Sequence, residues 1–306
     1  MRKMIAAAAG LFLAGPVLTA MSPAVAAPSA TACYIQAGSV TAGKDLTDKY
    51  VTATSPISVA PVETMAKQPF AGTVTLSSGW IWDDDMGDNG EDTALDGAVV
   101  IGGVLYDGGM LVETGSGGKI VSNQLNRIGG GWNDFRTLTK SSSADGGSSY
   151  RTYALRNDGV LYRWFVGEVN GKPAWRAAGS YAGFASVKAV TLISRTSTYD
   201  TLLATTRGGA LYTIRIPLTS PMKPVVKALR TSTWQGFESL LTTRCGQYGT
   251  LLLGIDKDTG SAYLYAVGHA NGTATVINSL GKVPGTFDDP VNYSWASFVD
   301  PPLNGE

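Results

Sequence analysis

The chain has one histidine among 306 residues, two cysteines, and charge on only 16% of its side chains. The single imidazole, His269, nearly excludes His-rich metal centres and leaves any Ser-His-Asp triad one choice of base. No Gly-x-Ser-x-Gly elbow accompanies it. Two cysteines are too few for a disulfide-dense miniprotein or a structural zinc cluster. There is no basic excess, with 24 Lys and Arg against 24 Asp and Glu, so the footprint of a nucleic-acid partner is missing. Phosphate-binding loops and dinucleotide fingerprints are also absent. What the chain does have is 38 Gly, 13 Tyr and 7 Trp. High Gly and aromatic content with little charge favours many turns between short strands.

The first residues read as a leader. Arg2 and Lys3 precede an apolar run from Met4 to about Ala20, and Ala24-Val25-Ala26 supplies a small-x-small cleavage pattern. That layout predicts a secretory signal over residues 1–26, cut before Ala27. Pro16 and the short apolar run argue against a membrane anchor, and no later stretch is apolar enough to span a bilayer. The expected product is therefore secreted, extracellular and not inserted in a membrane. Without Arg2 and Lys3 it carries 22 basic against 24 acidic side chains, a net charge of −2. Export also lets Cys33 and Cys245 join in a disulfide. Two buried free thiols, or a lipidated Cys33, are the alternatives to that pairing.

Two short motifs recur in phase. Gly-x-Leu-Tyr appears at residues 103–106, 159–162 and 209–212, with a weaker copy at 260–263. Aromatic-x-x-Phe appears as Trp132 with Phe135, Tyr181 with Phe184, Trp234 with Phe237, and Trp295 with Phe298; Trp80 stands where a degenerate first copy belongs. Between the motifs lie β-rich runs such as residues 201–206 and tight turns such as Asn157-Asp158-Gly159. Three to four strands per period of about 50 residues is the arithmetic of a propeller blade. The expected fold is all-β: one five-bladed propeller over residues 27–306. Continuous blades are predicted over 80–131, 132–180, 181–233 and 234–294, and a composite blade combines 33–79 with 295–306, because an open ring would leave an unpaired edge. Four blades, six to seven blades, or a pair of β-sandwiches are the alternatives.

Over roughly residues 80–298 the Trp-x-x-Phe corner, Leu-rich strand, Gly turn and Gly-x-Leu-Tyr strand resemble the blades of tachylectin-type propellers. They are also similar to the FG-GAP or VCBS-type repeats of secreted bacterial proteins. The first resemblance implies a five-bladed lectin that binds N-acetylated sugars between blades. The second implies Ca²⁺ held in an Asp-rich hairpin of a binding or adhesion module. The run Asp83 to Asp92 fits the latter: Asp84, Asp88 and Asp92 fall at every fourth position with glycines between them. Hard oxygens are what Ca²⁺ takes, so one such ion is the cation expected, and no other cofactor is required.

Ligand contacts are expected at the repeated corners. Trp132, Tyr181, Trp234 and Trp295 could stack on sugar rings, and Asn133, Asp134, Gln235 and Glu238 could bind hydroxyls. The competing expectation is that these aromatics pack neighbouring blades together. The reading is a monomeric, non-enzymatic binding protein for a glycan or another cell-surface ligand. Its rivals are a glycoside hydrolase or lyase with paired carboxylates, and a protein-binding scaffold. Carboxylates for the former are dispersed: Asp134, Asp200, Glu238, Asp256, Asp288 and Asp289.

Overall fold

The computed structural model describes residues 33–86, 90–141, 150–297, 300 and 302–306, with backbone only for 84–86. The predicted leader, residues 1–26, lies outside the described residues. First come β1 (Tyr34–Val40), β2 (Leu46–Asp48), β3 (Tyr50–Thr52), β4 (Ser58–Val59) and β5 (Glu63–Ala66). A first sheet follows: β6 (Val74–Ser77), β7 (Trp80–Met86), β8 (Asp92–Ile101), β9 (Val104–Glu113) and β10 (Ile120–Gly130). The second holds β11 (Phe135–Ser141), β12 (Tyr150–Arg156), β13 (Leu161–Val169) and β14 (Lys172–Tyr181). The third holds β15 (Val187–Arg195), β16 (Tyr199–Thr206), β17 (Leu211–Pro217) and β18 (Val225–Arg230). The fourth holds β19 (Ser239–Cys245), β20 (Gly249–Asp256), β21 (Ser261–Val267) and β22 (Ile277–Lys282), and β23 (Val291–Ser297) comes last. Among the described residues there is no α-helix, and Trp132–Asp134 form a 3-10 turn.

The protein is an all-β propeller built of repeated four-stranded antiparallel meanders. The second, third and fourth sheets each run in sequence order, and so do β7 to β10. The closing sheet runs β23-β1-β2-β5, joining chain from the two ends of the described range. There Ala37 to Val40 of β1 pair antiparallel with Ser294 to Val291 of β23. β23 also pairs in parallel with β7, Trp295 opposite Trp80, which fuses the closing and first sheets into one eleven-stranded ladder. Inner strands touch in a closed circuit: β6 with β11, β11 with β15, β15 with β19, β19 with β23, and β23 with β6 and β7.

The core lies between sheets. Five apolar clusters each bridge one neighbouring pair of sheets, such as Leu155 and Leu161 of the second packed with Leu202 and Ile214 of the third. Strands covered on both faces read as near-continuous buried runs, as Asp200 to Thr206 of β16 and Gly249 to Ile255 of β20 do. The disulfide joins Cys33, beside β1, to Cys245 of β19, with Cα atoms 5.6 Å apart across 212 residues of chain. It ties the fourth sheet to the closing sheet.

The two repeated motifs prove to be halves of one joint. The carbonyl of each motif glycine accepts a backbone N–H from the next corner. Trp132 donates to Gly103, Phe184 to Gly159, Trp234 to Gly209 and Phe287 to Gly260, all at 2.9–3.0 Å. Gly159 and Gly209 both have φ of 88°, in the left-handed region. A Cβ on Gly159 would stand 2.3 Å from the backbone N of Ala185, and one on Gly209 would stand 2.2 Å from Oε1 of Gln235. Both positions therefore need glycine for dihedral and for space. The residues that occupy this joint are Trp132, Phe184, Trp234 and Phe287, spaced 52, 50 and 53 apart. That set is more regular than the Trp132, Tyr181, Trp234 and Trp295 series expected from the sequence. All four joint aromatics are buried.

A polar central cavity as the candidate functional site

Inside the circuit of inner strands lies a cavity of about 1100 Å³. Each sheet contributes its inner strand to the wall, residues 75–77 of β6, 136–140 of β11, 188–192 of β15, 239–244 of β19 and 291–297 of β23, and the first and second sheets add residues of further strands. These segments are rich in small hydroxyl residues, including Thr75, Ser77, Thr137, Thr139, Thr191, Thr242 and Ser294. Alternation along a strand turns every second side chain toward the axis, and short ones leave the space open.

The wall is most polar where the first and second sheets meet. Asp96 on β8 stands opposite Gly109 of β9, and Asp107 lies two positions from Gly109, so both carboxylates share one face of the sheet. Asp107 is buried, and its Oδ2 accepts hydrogen bonds from Tyr150 Oη at 2.7 Å and Trp175 Nε1 at 2.6 Å. Burial pushes its carboxyl above the usual range; the two donors and the charge of Lys140 pull it back, and Asp96 adds to the rise. Burial, followed by the nearby Asp107 charge, holds the Tyr150 phenol well above its ordinary value, so it stays a donor. Lys140 reaches from β11 to pair with Oδ1 of Asp96, and its ammonium sits 4.0 Å from the centroid of the Tyr150 ring. The lysine is buried while Asp96 stays half open to solvent. Gln124, Glu168 and Ser122 complete this side of the wall. The result is an apolar-backed recess presenting a fixed cation, two carboxylates, a phenol and an amide.

The other polar groups on the wall are tied into the scaffold. Glu238 pairs with Lys188 and accepts the backbone N–H of Lys257 at 2.8 Å. Burial lowers the Lys257 ammonium, whose Nζ donates to the carbonyl of Pro290 at 2.6 Å. Arg136 spends its guanidinium on the carbonyls of Val187, Arg156 and Phe184, stitching the second sheet to the third.

The residues expected to bind ligand are spread around the ring. Trp132, Trp234 and Trp295 are buried. Trp132 packs on Phe135, Trp164 and Trp175; Trp234 packs on Phe237 and Tyr265. Trp295 packs on Trp80 and Tyr293 and donates Nε1 to the carbonyl of Thr47. These three indoles have no face free for a sugar. Tyr181 is 43% exposed, and Asn133, Asp134 and Gln235 are exposed at separate seams. Of the eight, Glu238 and Trp295 reach the cavity wall.

The dispersed carboxylates do not converge either. Asp200 is buried between Arg151, whose Nε and Nη2 donate at 2.5 and 2.7 Å, and Tyr153, whose Oη donates at 2.6 Å. Asp256 caps the turn at Thr259, and Asp289 accepts from Ser39. His269 packs edge-on against Tyr248. For the ion, Asp88 and the side chain of Asp84 lie outside the described residues. Asp92 opens β8, and the described residues contain no group of three or more metal-ligating side chains. Sequence reading missed Asp96, Asp107, Lys140 and Tyr150 because none lies in a repeated motif. The available signal was a carboxylate inside each of two adjacent strands, at positions where an apolar run would otherwise continue.

No family model matches the chain, and no curated protein matches it. Among solved structures it is similar to a fucose-specific lectin from Aleuria aurantia, with 12% identity, a TM-score of 0.41, and coverage of 83% of this chain and 75% of that one. It is also similar to the Hadza microbial sialidase Hz136, with 10% identity, a TM-score of 0.41, and coverage of 87% of this chain and 61% of that one.

Proposed function

We propose that this is a secreted, five-bladed, monomeric propeller that binds a carbohydrate in its central cavity. The closed circuit of inner strands and the five inter-sheet clusters support that blade count, with β23-β1-β2-β5 as the composite blade. Export through residues 1–26 fits the disulfide. The observation that carries the ligand class is the recess between the first and second sheets. It offers cationic, anionic, hydroxyl and amide partners within one cavity of oligosaccharide size. Sugars present dense hydroxyls with two-way hydrogen bonding, which such a mixed set matches better than a lipid or a polyanion would be matched. Glycan-array binding followed by calorimetry tests the reading. Asp96→Asn and Gln124→Ala should each weaken the best glycan at least tenfold, and a blank array for the intact protein would refute it.

Hydrolysis is the second reading, favoured by one observation. Burial raises the Asp107 carboxyl, whereas Asp96 stands half open to solvent and pairs with Lys140, and both face the same side of one sheet. Two carboxylates in unlike surroundings can divide acid and base roles. Release of chromophore from aryl glycosides by the native chain, lost in Asp107→Asn, would support it.

A further inference from the structure

Residues 303–306 leave the closing sheet and lie between the third and fourth sheets. Arg195 N–H donates to the carbonyl of Leu303 at 3.1 Å, and Gly305 N–H donates to that of Ile193 at 2.8 Å. From the fourth sheet, Ala270 N–H donates to the carbonyl of Gly305 at 2.7 Å. The segment thus adds to the edge of β15 as a short strand, the geometry by which sheet edges take up peptides. Glu306 anchors it: its carboxylate, 4% exposed, accepts from the Thr201 hydroxyl and pairs with Nη2 of Arg215 at 3.2 Å.

The same place at the preceding seam is filled differently. There Arg151 and Tyr153 of the second sheet meet Asp200 of the third. Ala204 pairs with Tyr212 and Gly254 with Tyr263, so the register puts buried Thr250 where the fourth sheet would need an acid. Thr201 and Arg215 therefore face a groove whose carboxylate must come from elsewhere. Glu306 supplies it only in part, because Nε of Arg215 is buried without a hydrogen-bond partner. A carboxylate seated squarely on the guanidinium would engage both Nε and Nη2. The groove also selects the preceding residue. A Cβ on Gly305 would come within 2.4 Å of Thr250 Oγ1 and 2.9 Å of the Ile193 carbonyl.

We propose that this groove is a docking site for an extended acidic peptide with glycine before its carboxylate residue, occupied here by the chain's own residues 303–306. The groove adjoins the central cavity, whose wall includes Leu303, but its anchoring groups, Thr201 and Arg215, lie outside that wall. The test uses the full chain carrying Gly305→Leu, which ejects the segment, with a fluorescently labelled Pro-Pro-Leu-Asn-Gly-Glu peptide as probe. Anisotropy should show binding at least tenfold tighter than to the native chain, where the internal segment competes. Adding Arg215→Met to the ejected variant should weaken binding at least tenfold, and a probe with leucine in place of its glycine should not bind. Should circular dichroism show Gly305→Leu unfolded, Glu306→Gln takes its place with the same expectations. Equal binding to native and ejected chains, no binding to either, or indifference to Arg215→Met would overturn the proposal.

Discussion

Reducing the Cys33–Cys245 bond should destabilise the protein by about 5 kcal/mol, the loop-closure entropy returned to an unfolded chain by opening a tie across 212 residues. The bond is the one disulfide among the described residues, and it crosses from the closing sheet to the fourth. Cys245 is 4% exposed and packs in the cluster formed by Ile35, Val51, Leu253 and Phe287, so native contacts persist after reduction and the effect falls on the unfolded state. The assay is urea unfolding followed by tryptophan fluorescence, with and without reductant. With a slope of about 3 kcal/mol per M, the midpoint should fall by roughly 1.5–2 M. A Cys33→Ser, Cys245→Ser double variant should unfold at the reduced midpoint and ignore reductant. A shift below about 0.3 M would refute the reasoning, since the ladder of β1 with β23 would then already constrain the unfolded ensemble as the disulfide does.

Two further outcomes follow from buried groups. Burial raises the Asp48 carboxyl from 3.8 to about 6 in the folded state, with a hydrogen bond from Gln36 opposing the rise. The folded form therefore binds the proton more tightly. The stabilisation this gives is fully present below about pH 4 and is lost as pH rises through about 6, a change of about 3 kcal/mol. Comparing Asp48→Asn with the native chain in urea should show the variant gaining on the native chain between pH 4 and pH 7.5, and a difference that does not vary with pH would count against the assignment. Gly209→Ala should cost about 1–3 kcal/mol, because a side chain is forced to positive φ and into Gln235 at the joint with the fourth sheet. Thermal melts read that loss, and an unchanged melting temperature would show that the joint yields freely.

The propeller architecture was legible because each repeat must satisfy the same joint. A glycine at positive φ, a Leu-Tyr strand behind it and a buried aromatic ahead leave marks that recur every 50 residues or so. The identity of the aromatic was less legible. Tyr181 and Trp295 satisfy the pattern by eye, yet Phe184 and Phe287 make the backbone bonds, and only the spacing distinguishes them. The sequence placed residues 295–306 together in the composite blade. β23 begins at Val291, and residues 303–306 leave for the third sheet, drawn by Thr201 and Arg215, which nothing local to the segment announces. The recess at Asp96 and Asp107 was hidden for a related reason. It depends on Lys140, Tyr150 and Trp175 arriving from another sheet, and contacts across 43 to 68 residues leave no periodic trace.

The parallel pairing of Trp295 with Trp80 has a mechanical consequence. At that boundary backbone bonds run from sheet to sheet, and at the next a covalent bond spans the gap. The boundary of the first and second sheets has side chains in that office: Lys140 on Asp96, and Tyr150 and Trp175 on Asp107. The ring is therefore tied most firmly around its closure, and the adjoining seam between the first and second sheets rests more on side chains, beside the one backbone bond from Trp132 to Gly103. That adjoining seam carries the recess, where a ligand can exchange side-chain contacts for its own without breaking the hoop.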